Sequence, residues 1–130
     1  MHCVSDRKLQ AAKFVHHFDS DLIISAANRH VLDKATLANP ALGCINYHNG
    51  PLPDYAGLRA TALAIYNGEL SPGVTWHRID AGIDTGPVQC RRSFLLDTGE
   101  TTASLNTRCT IEAIDCLEDL LDKIDRNDLG

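Results

Sequence analysis

The chain has 130 residues, of which 44% are hydrophobic and 22% are charged, and its formal net charge at pH 7 is −5. This composition is that of a globular domain and excludes a disordered or collagen-like chain, and the lack of a basic run argues against a nucleic-acid binder. The longest apolar run, residues 22–27, is far shorter than the roughly 20 residues of a membrane span, and the polar residues after Met1 do not form a signal peptide. We therefore expect one soluble, cytoplasmic domain over residues 1–130 that binds neither nucleic acid nor a membrane.

Helical and extended patterns alternate in the first half of the chain. Apolar residues spaced three apart predict a short amphipathic helix over residues 9–18, and a continuous apolar run predicts a buried strand over residues 22–26. A short helix over residues 32–38 is expected to end before Pro40, because proline disfavours helix in the residue that precedes it. A second strand follows over residues 44–48.

In the second half, a stiff loop is predicted over residues 49–57 and a helix over residues 58–66. Two strands follow over residues 74–79 and 88–94, and a long helix over residues 102–124. Thr101 or Thr102 is expected to cap the long helix. Alternation of this kind indicates an α/β fold in which helices cover a mostly parallel sheet. Since ligands of such sheets bind at the carboxyl ends of the strands, the loops after Ala26, His48 and Ile79 are expected to hold the chemistry.

The five cysteines are irregularly spaced and include no Cys-x-x-Cys pair. This pattern indicates reduced thiols rather than a disulfide framework or a zinc site. The adjacent His16 and His17 have no Cys or carboxylate at ligand spacing, so we interpret them as the surface of a helix and predict no metal site.

Polar side chains stand at the end of the second predicted strand. Asn46 and His48 are two residues apart and therefore point to the same side of it. Such groups are costly in a core unless they are hydrogen-bonded, so they either satisfy nearby loop carbonyls or form a paired donor site for an oxygen that gains charge in acyl transfer. Asp84, in a loop expected to lie close by, can hold the imidazole protonated or act as a base, whereas we interpret Asp80 as a turn-former.

The tripeptide Asp-Thr-Gly, a signature of aspartic proteases, occurs at residues 84–86 and 97–99. Those enzymes take one motif from each of two lobes or chains of an all-β fold. The two copies in this chain are close in sequence and are surrounded by predicted helix, so we disfavour this interpretation.

Residues 43–57, Gly-Cys-Ile-Asn-Tyr-His-Asn-Gly-Pro-Leu-Pro-Asp-Tyr-Ala-Gly, resemble the Asn-x-His-x-x-x-Leu-Pro-x-Tyr-x-Gly signature of folate-dependent formyltransferases. The resemblance continues through three further blocks, residues 64–69, 73–77 and 80–86. The family includes the enzymes that formylate initiator methionyl-tRNA, glycinamide ribonucleotide and nucleotide-linked amino sugars. Residues 27–32 and 47–51 are most similar to formyltransferase domains associated with nonribosomal peptide synthetases.

The resemblance implies a Rossmann-like fold and the transfer of a formyl group from 10-formyltetrahydrofolate to a primary amine, without a metal. By the family pattern, Asn46 and His48 stabilise the oxygen of a tetrahedral intermediate, and Asp84 orients His48 and accepts the proton of the amine. The pterin ring is expected between residues 27–32 and 80–84. The residues expected to bind the folate are Asn28, Arg29, Val31, Leu32, Asp80, Gly82 and Ile83.

The resemblance also implies that the domain is truncated and lacks its first βα units. A sheet shortened in this way exposes a strand edge, through which copies of the chain can pair into a homo-oligomer. The expected acceptor is a small-molecule or carrier-linked amine. Two alternatives stay open: a catalytically inactive module that binds folate or a carrier-linked partner, and a formyltetrahydrofolate hydrolase in which water accepts the formyl group.

Overall fold

The structure, a computed structural model, describes Val15 and residues 18–126. The elements within the latter range are β1 (Ile23–Ser25), α1 (Lys34–Ala38), β2 (Cys44–His48), α2 (Ala60–Tyr66), β3 (Gly73–Arg78), β4 (Val88–Ser93) and α3 (Thr102–Asp125). They follow the predicted order. The helix predicted over residues 9–18, with His16 and His17, falls almost entirely outside the described residues.

The four strands form one sheet in the order β1-β2-β3-β4. β1 runs parallel to β2, whereas β3 is antiparallel to both of its neighbours. The α/β class is confirmed, while the strand directions are more mixed than the alternating pattern indicates. β4 is antiparallel to β3 because residues 79–87, which connect them, are too few for a parallel crossover, which needs roughly a dozen residues or more.

β1 is an edge strand among the described residues, where β2 is its hydrogen-bonded neighbour in the sheet. Its middle residue, Ile24, is exposed. An edge of this kind offers unpaired backbone groups to another strand. Association of two copies through it stays a prediction.

The long helix α3 begins with a capping box. Thr101 Oγ1 accepts a hydrogen bond from the Ser104 N–H at 3.2 Å, and Ser104 Oγ accepts one from the Thr101 N–H at 2.9 Å. Of the two predicted caps, Thr101 is therefore the one used. The buried face of α3 carries Leu105, Cys109, Ala113, Cys116 and Leu120. No helix in the described part of the chain combines the length and the apolar character that crossing a membrane requires.

One face of the sheet forms the apolar core with α3. Ile45, Val74 and Trp76 are buried there against the helix. Trp76 Nε1–H donates a hydrogen bond to the carbonyl oxygen of Ala113 at 2.8 Å, so the indole is both packed and satisfied. Burial of each large apolar side chain contributes about 1.5–3 kcal/mol.

Cys90 of β4 and Cys116 of α3 form a disulfide, so the expectation of reduced thiols is wrong for this pair. Cys90 pairs with Trp76 across β3 and β4 and therefore faces α3. The two cysteines are 26 positions apart, and only the packing of α3 on the sheet brings them together. Cys44 and Cys109 are free and buried.

The opposite face of the sheet carries polar side chains. The strand register places Ser25, Asn46 and His77 side by side across β1, β2 and β3, and it places Thr75 beside His48. Four of these residues are buried, and Asn46 is half-buried. Buried polar groups need partners, so this face is the place to look for a site.

Candidate active site

The loop between β3 and β4 brings Asp84 over the polar face of the sheet. Because β3 is antiparallel to β2, this loop begins at the amino end of β2, where the Ile79 N–H donates to the Cys44 carbonyl at 2.9 Å. The carboxyl ends of β1, β2 and β3 therefore do not share one edge of the sheet. The loop then folds back, and Asp84 adopts a φ of +54°, which is unfavourable for a residue other than glycine. The loop ends at Gly86, where no side chain fits, because a Cβ at this position would lie 1.8 Å from the Arg78 carbonyl oxygen.

Asp84 lies between two histidines from neighbouring strands. Its Oδ2 is 3.3 Å from His48 Nδ1, and its Oδ1 is 3.3 Å from His77 Nε2. The backbone N–H of Gly57 donates to Oδ2 at 2.8 Å. The side chain of Asp84 is 12% exposed, and a carboxylate so nearly buried needs donors of this kind. The result is a carboxylate with an imidazole at each oxygen.

The second ring nitrogen of His48 also faces an oxygen. Its Nε2 is in hydrogen-bond contact with the carbonyl oxygen of Tyr55. Both ring nitrogens of His48 therefore face an oxygen, so each of them can donate a hydrogen bond when it carries a proton. Asn46 lies next to this pair, with its Nδ2 3.3 Å from His77 Nε2. The structure therefore brings together the three predicted catalytic residues Asn46, His48 and Asp84.

The loop that follows β2 supports His48. The buried Thr75 hydroxyl accepts a hydrogen bond from the Leu52 N–H at 3.1 Å and donates one to the Gly50 carbonyl at 2.8 Å. A Cβ at Gly50 would lie only 3.1 Å from His48 Nε2. The Leu52 carbonyl accepts from Arg91 Nη1 at 3.0 Å. The loop is thus tied to β3 and β4, in agreement with the fixed path that its prolines and glycines predict.

A cavity of about 110 Å³ opens beside Asn46, His77 and Asp84. Its remaining walls come mostly from the loop after β1 and the loop after β3. Val31 and Ile83, which are 75% and 70% exposed, place apolar surface at its open side. Apolar surface combined with a few convergent polar groups is typical of a small-molecule site.

Most of the residues predicted to contact a folate line this cavity: Asn28, Val31, Leu32, Asp80, Gly82 and Ile83. Arg29 is exposed in the same loop and is not among the lining residues. The side-chain oxygen of Asn28 accepts from the His30 N–H at 3.0 Å, which shapes the loop after β1. The structure gathers these residues around one cavity, and their contact with a folate stays a prediction.

Asp80 shapes the loop that carries Asp84. Its Oδ1 accepts hydrogen bonds from Thr85 Oγ1 at 2.7 Å and from the Gly82 N–H at 2.9 Å. These two bonds favour the ionised carboxylate and hold the pKa of Asp80 below its usual value. Asp80 is therefore a turn-former, as its position in the sequence predicts.

A sequence profile of the family described as formyl transferase matches residues 3–120. The chain belongs to the formyl transferase family. The resemblance drawn from residues 43–57 and from the blocks that follow them is confirmed.

The relatives of this formyltransferase-family chain are longer proteins. A methionyl-tRNA formyltransferase from Citrifermentans bemidjiense is 35% identical over 126 residues, which are 97% of this chain and 40% of that protein. The protein of the same name from Pelobacter propionicus is 36% identical over 118 residues, which are 88% of this chain and 37% of that protein. The chain thus spans about two-fifths of the length of these relatives.

Two solved structures share the fold, and the expected Rossmann-like fold is confirmed. Phosphoribosylglycinamide formyltransferase from Anaplasma phagocytophilum matches 92% of this chain and 57% of its own with a TM-score of 0.81 and 23% identity. HypX from Aquifex aeolicus, solved in complex with tetrahydrofolic acid, matches 92% of this chain and 20% of its own with a TM-score of 0.80 and 25% identity.

His77 is a residue of this candidate site that sequence reasoning misses. It is 2% exposed, lines the cavity and contacts Asp84. A signal for it exists in the sequence, because Thr75 and His77 alternate with the apolar Val74 and Trp76 along β3. This is the same pattern that singles out the polar pair of β2.

Proposed function

We propose that this chain transfers a formyl group from 10-formyltetrahydrofolate to a primary amine. The observation that carries the proposal is the Asp84 carboxylate between His48 and His77, next to Asn46 at the wall of a cavity. Membership of the formyl transferase family supports it. The likeness to HypX, which was solved with tetrahydrofolic acid, supports a folate as the donor.

The cavity suits one end of a flat ring system with a polar edge. Val31 and Ile83 offer apolar surface to the faces of such a ring, and the backbone of residues 27–32 and 80–84 offers hydrogen-bond partners to its edge. A bound donor supplies an already activated formyl group. The residues that we propose hold it are Asn28, Arg29, Val31, Leu32, Asp80, Gly82 and Ile83.

The catalytic residues would act on the charge and the proton of the reaction. When the amine nitrogen bonds to the formyl carbon, negative charge develops on the formyl oxygen. An N–H of Asn46 would donate a hydrogen bond to that oxygen, and the imidazolium of His48 would stabilise it by its charge. Asp84 would hold His48 protonated and accept the proton that the amine loses, directly or through water. The bond between the formyl carbon and the folate nitrogen would then break, and that nitrogen would take up a proton as tetrahydrofolate leaves.

The acceptor that we propose is a small-molecule or carrier-linked amine. The relatives described above are named for methionyl-tRNA and for phosphoribosylglycinamide, and a sugar N-formyltransferase also shares the fold. The net charge of −5 disfavours a tRNA-linked acceptor, because binding to a polynucleotide depends on clustered Lys and Arg.

The test is the release of tetrahydrofolate from 10-formyltetrahydrofolate, with no amine and then with each of four acceptors. These are phosphoribosylglycinamide, a nucleotide-linked amino sugar, an aminoacyl carrier protein and methionyl-tRNA. We expect release that depends on one of the first three. Release without any amine would favour a hydrolase, and binding of 5-formyltetrahydrofolate without release would leave a non-catalytic module. Either outcome contradicts the proposal.

Asp84→Asn keeps the size of the side chain and removes its charge. We expect it to lower kcat about 10³-fold, since it removes both the proton acceptor and the partner of His48. Asp97→Asn is the matched control, because Asp97 begins the other Asp-Thr-Gly tripeptide and its side chain is 79% exposed. A near-normal rate for Asp84→Asn would show that the residue assignment is wrong.

A further inference from the structure

We infer that His77 is a positioning residue, whose Nε2 holds the Asn46 amide so that one amide N–H points into the cavity. The catalytic meaning of this inference rests on the proposed function, whereas the contacts themselves follow from the pairing of β2 with β3. Asn46 and His77 are directly opposite each other in that pairing. Both line the cavity together with Asp84, while His48 is not among the lining residues.

The two ring nitrogens of His77 have different partners. Nδ1 is 2.9 Å from the Arg78 carbonyl oxygen, which can only accept, so Nδ1 carries a proton. Nε2 is 3.3 Å from Asn46 Nδ2 and 3.3 Å from Asp84 Oδ1. An amide NH₂ can only donate, so its contact with Nε2 is a hydrogen bond only when Nε2 is unprotonated. The Asp84 carboxylate, at the same distance from Nε2, can only accept and would need a proton on that nitrogen. In a neutral ring the single proton is on Nδ1, so Nε2 accepts from Asn46.

In this tautomer His77 decides which end of the Asn46 amide faces the cavity. One N–H of the planar NH₂ group binds Nε2, which leaves the second N–H for an oxygen in the cavity. If the amide turned by half a rotation, its Oδ1 would take the place of the nitrogen and repel an oxygen that gains negative charge. His77 thus orients a donor that it does not itself supply.

A second proton on His77 reverses this arrangement. Nε2–H then donates to Asp84 Oδ1, and it repels the N–H groups of Asn46. The oriented donor is lost, so we expect kcat to fall on the acid side as His77 takes up a proton.

The surroundings of His77 are mixed in charge. The titratable groups that face His77 are Asp84 and Asp80, from the loop after β3, and His48, from β2. Val88 of β4 pairs with His77 and does not titrate. Ser25 of β1 and the titratable His30 of the loop after β1 line the same cavity as His77.

The first test needs no turnover. Nuclear magnetic resonance of the full chain, labelled with ¹⁵N in the histidine rings and the Asn side chains, reports the tautomer of His77 at pH 8. We expect a proton on Nδ1 alone, and Asn46 amide signals that shift in His77→Phe and on lowering the pH. A proton on Nε2 at pH 8, or Asn46 signals that ignore both changes, would overturn the inference.

The second test separates orientation from mere packing. His77→Phe keeps a ring and removes Nε2, whereas His77→Gln returns an amide oxygen that can accept from Asn46 but does not titrate. We expect His77→Phe to lower kcat at pH 8 about tenfold to hundredfold, as misplacement of a reacting group does, with little change in KM for the folate. His77→Gln is expected to recover most of kcat and to lose the fall on the acid side.

Trp76→Phe is the matched control, because Trp76 is buried at the adjacent position of β3 on the opposite face. We expect wild-type kcat and an unchanged pH profile from it. Normal turnover by His77→Phe, or a His77→Gln no faster than His77→Phe, would overturn the inference. Absence of formyl transfer by the wild-type chain would sink the proposed function instead, and the resonance experiment would still decide whether His77 orients Asn46.

Discussion

The two faces of the sheet are stabilised by different kinds of interaction. Under α3, Ile45, Val74 and Trp76 make many weak contacts, each of which contributes independently of the proton positions around it. On the other face, Asp84 and His77 belong to one hydrogen-bonded cluster, in which the protonation of one group sets the orientation of the next.

This difference indicates which substitutions should change stability and which should change catalysis. A substitution on the apolar face removes contact area and should lower stability without changing the chemistry of the folded molecule. A substitution on the polar face changes what its neighbours donate and accept, so it should alter catalysis whether or not it alters stability. Four predictions, from the largest effect on stability to the smallest, probe this separation.

Leu105→Ala should have the largest effect on stability. Leu105 is fully buried in α3, and its truncation leaves a cavity that costs about 2–5 kcal/mol in the free energy of unfolding. Urea denaturation followed by circular dichroism measures this loss. The exposed Ile111→Ala on the same helix is the control. If kcat per folded molecule also falls in Leu105→Ala, the two faces are not separable.

Thr75→Val should affect both quantities. It removes the hydroxyl that joins the Leu52 N–H to the Gly50 carbonyl, and leaving such buried groups unpaired costs about 1–3 kcal/mol. Because the same loop carries the Tyr55 carbonyl that contacts His48, kcat should fall as well. Thermal unfolding and tetrahydrofolate release measure the two effects, with the exposed Thr107→Val as control. A loss of stability with normal kcat would uncouple the loop from the site.

Thr101→Ala removes the cap of α3, a feature that belongs to neither face. The lost hydrogen bond to the Ser104 N–H should lower stability by about 1 kcal/mol and leave kcat unchanged. Thr102→Ala, one position further along, is the control, because the capping hydrogen bonds are made by Thr101. Equal melting temperatures for the two variants would contradict the capping role.

Cys109 gives the smallest effect near neutral pH. Burial raises the pKa of its thiol to about 11, so the reactive thiolate is nearly absent at pH 7.5. Iodoacetamide should leave Cys109 unmodified in the folded chain and modify it in urea, as peptide mass mapping would show. Because the unfolded thiol ionises near its ordinary pKa of 9.0, stability should be lost as the pH rises from there toward 11. Modification of the folded chain at pH 7.5 would contradict the apolar setting of this thiol.

Local patterns in the sequence account for most elements and for part of the site. The apolar spacing over residues 102–124 predicts the buried face of α3, because helical periodicity is a property of neighbouring residues. The alternation of Asn46 and His48 with apolar residues predicts a polar pair on one side of β2, and the structure places them so. The assignment of residues 1–130 to a single catalytic domain stays a prediction.

The sequence by itself determined which face of each element is apolar and which family the chain belongs to. Only the tertiary structure decided that β3 runs antiparallel to β2, that Cys90 meets Cys116, and that Asp84 reaches a histidine on each of two strands. The physical reason is that periodicity records burial, which is averaged over a whole face. A hydrogen bond or a disulfide instead joins two particular atoms, whose meeting depends on strand direction, register and the path of a loop between distant parts of the chain.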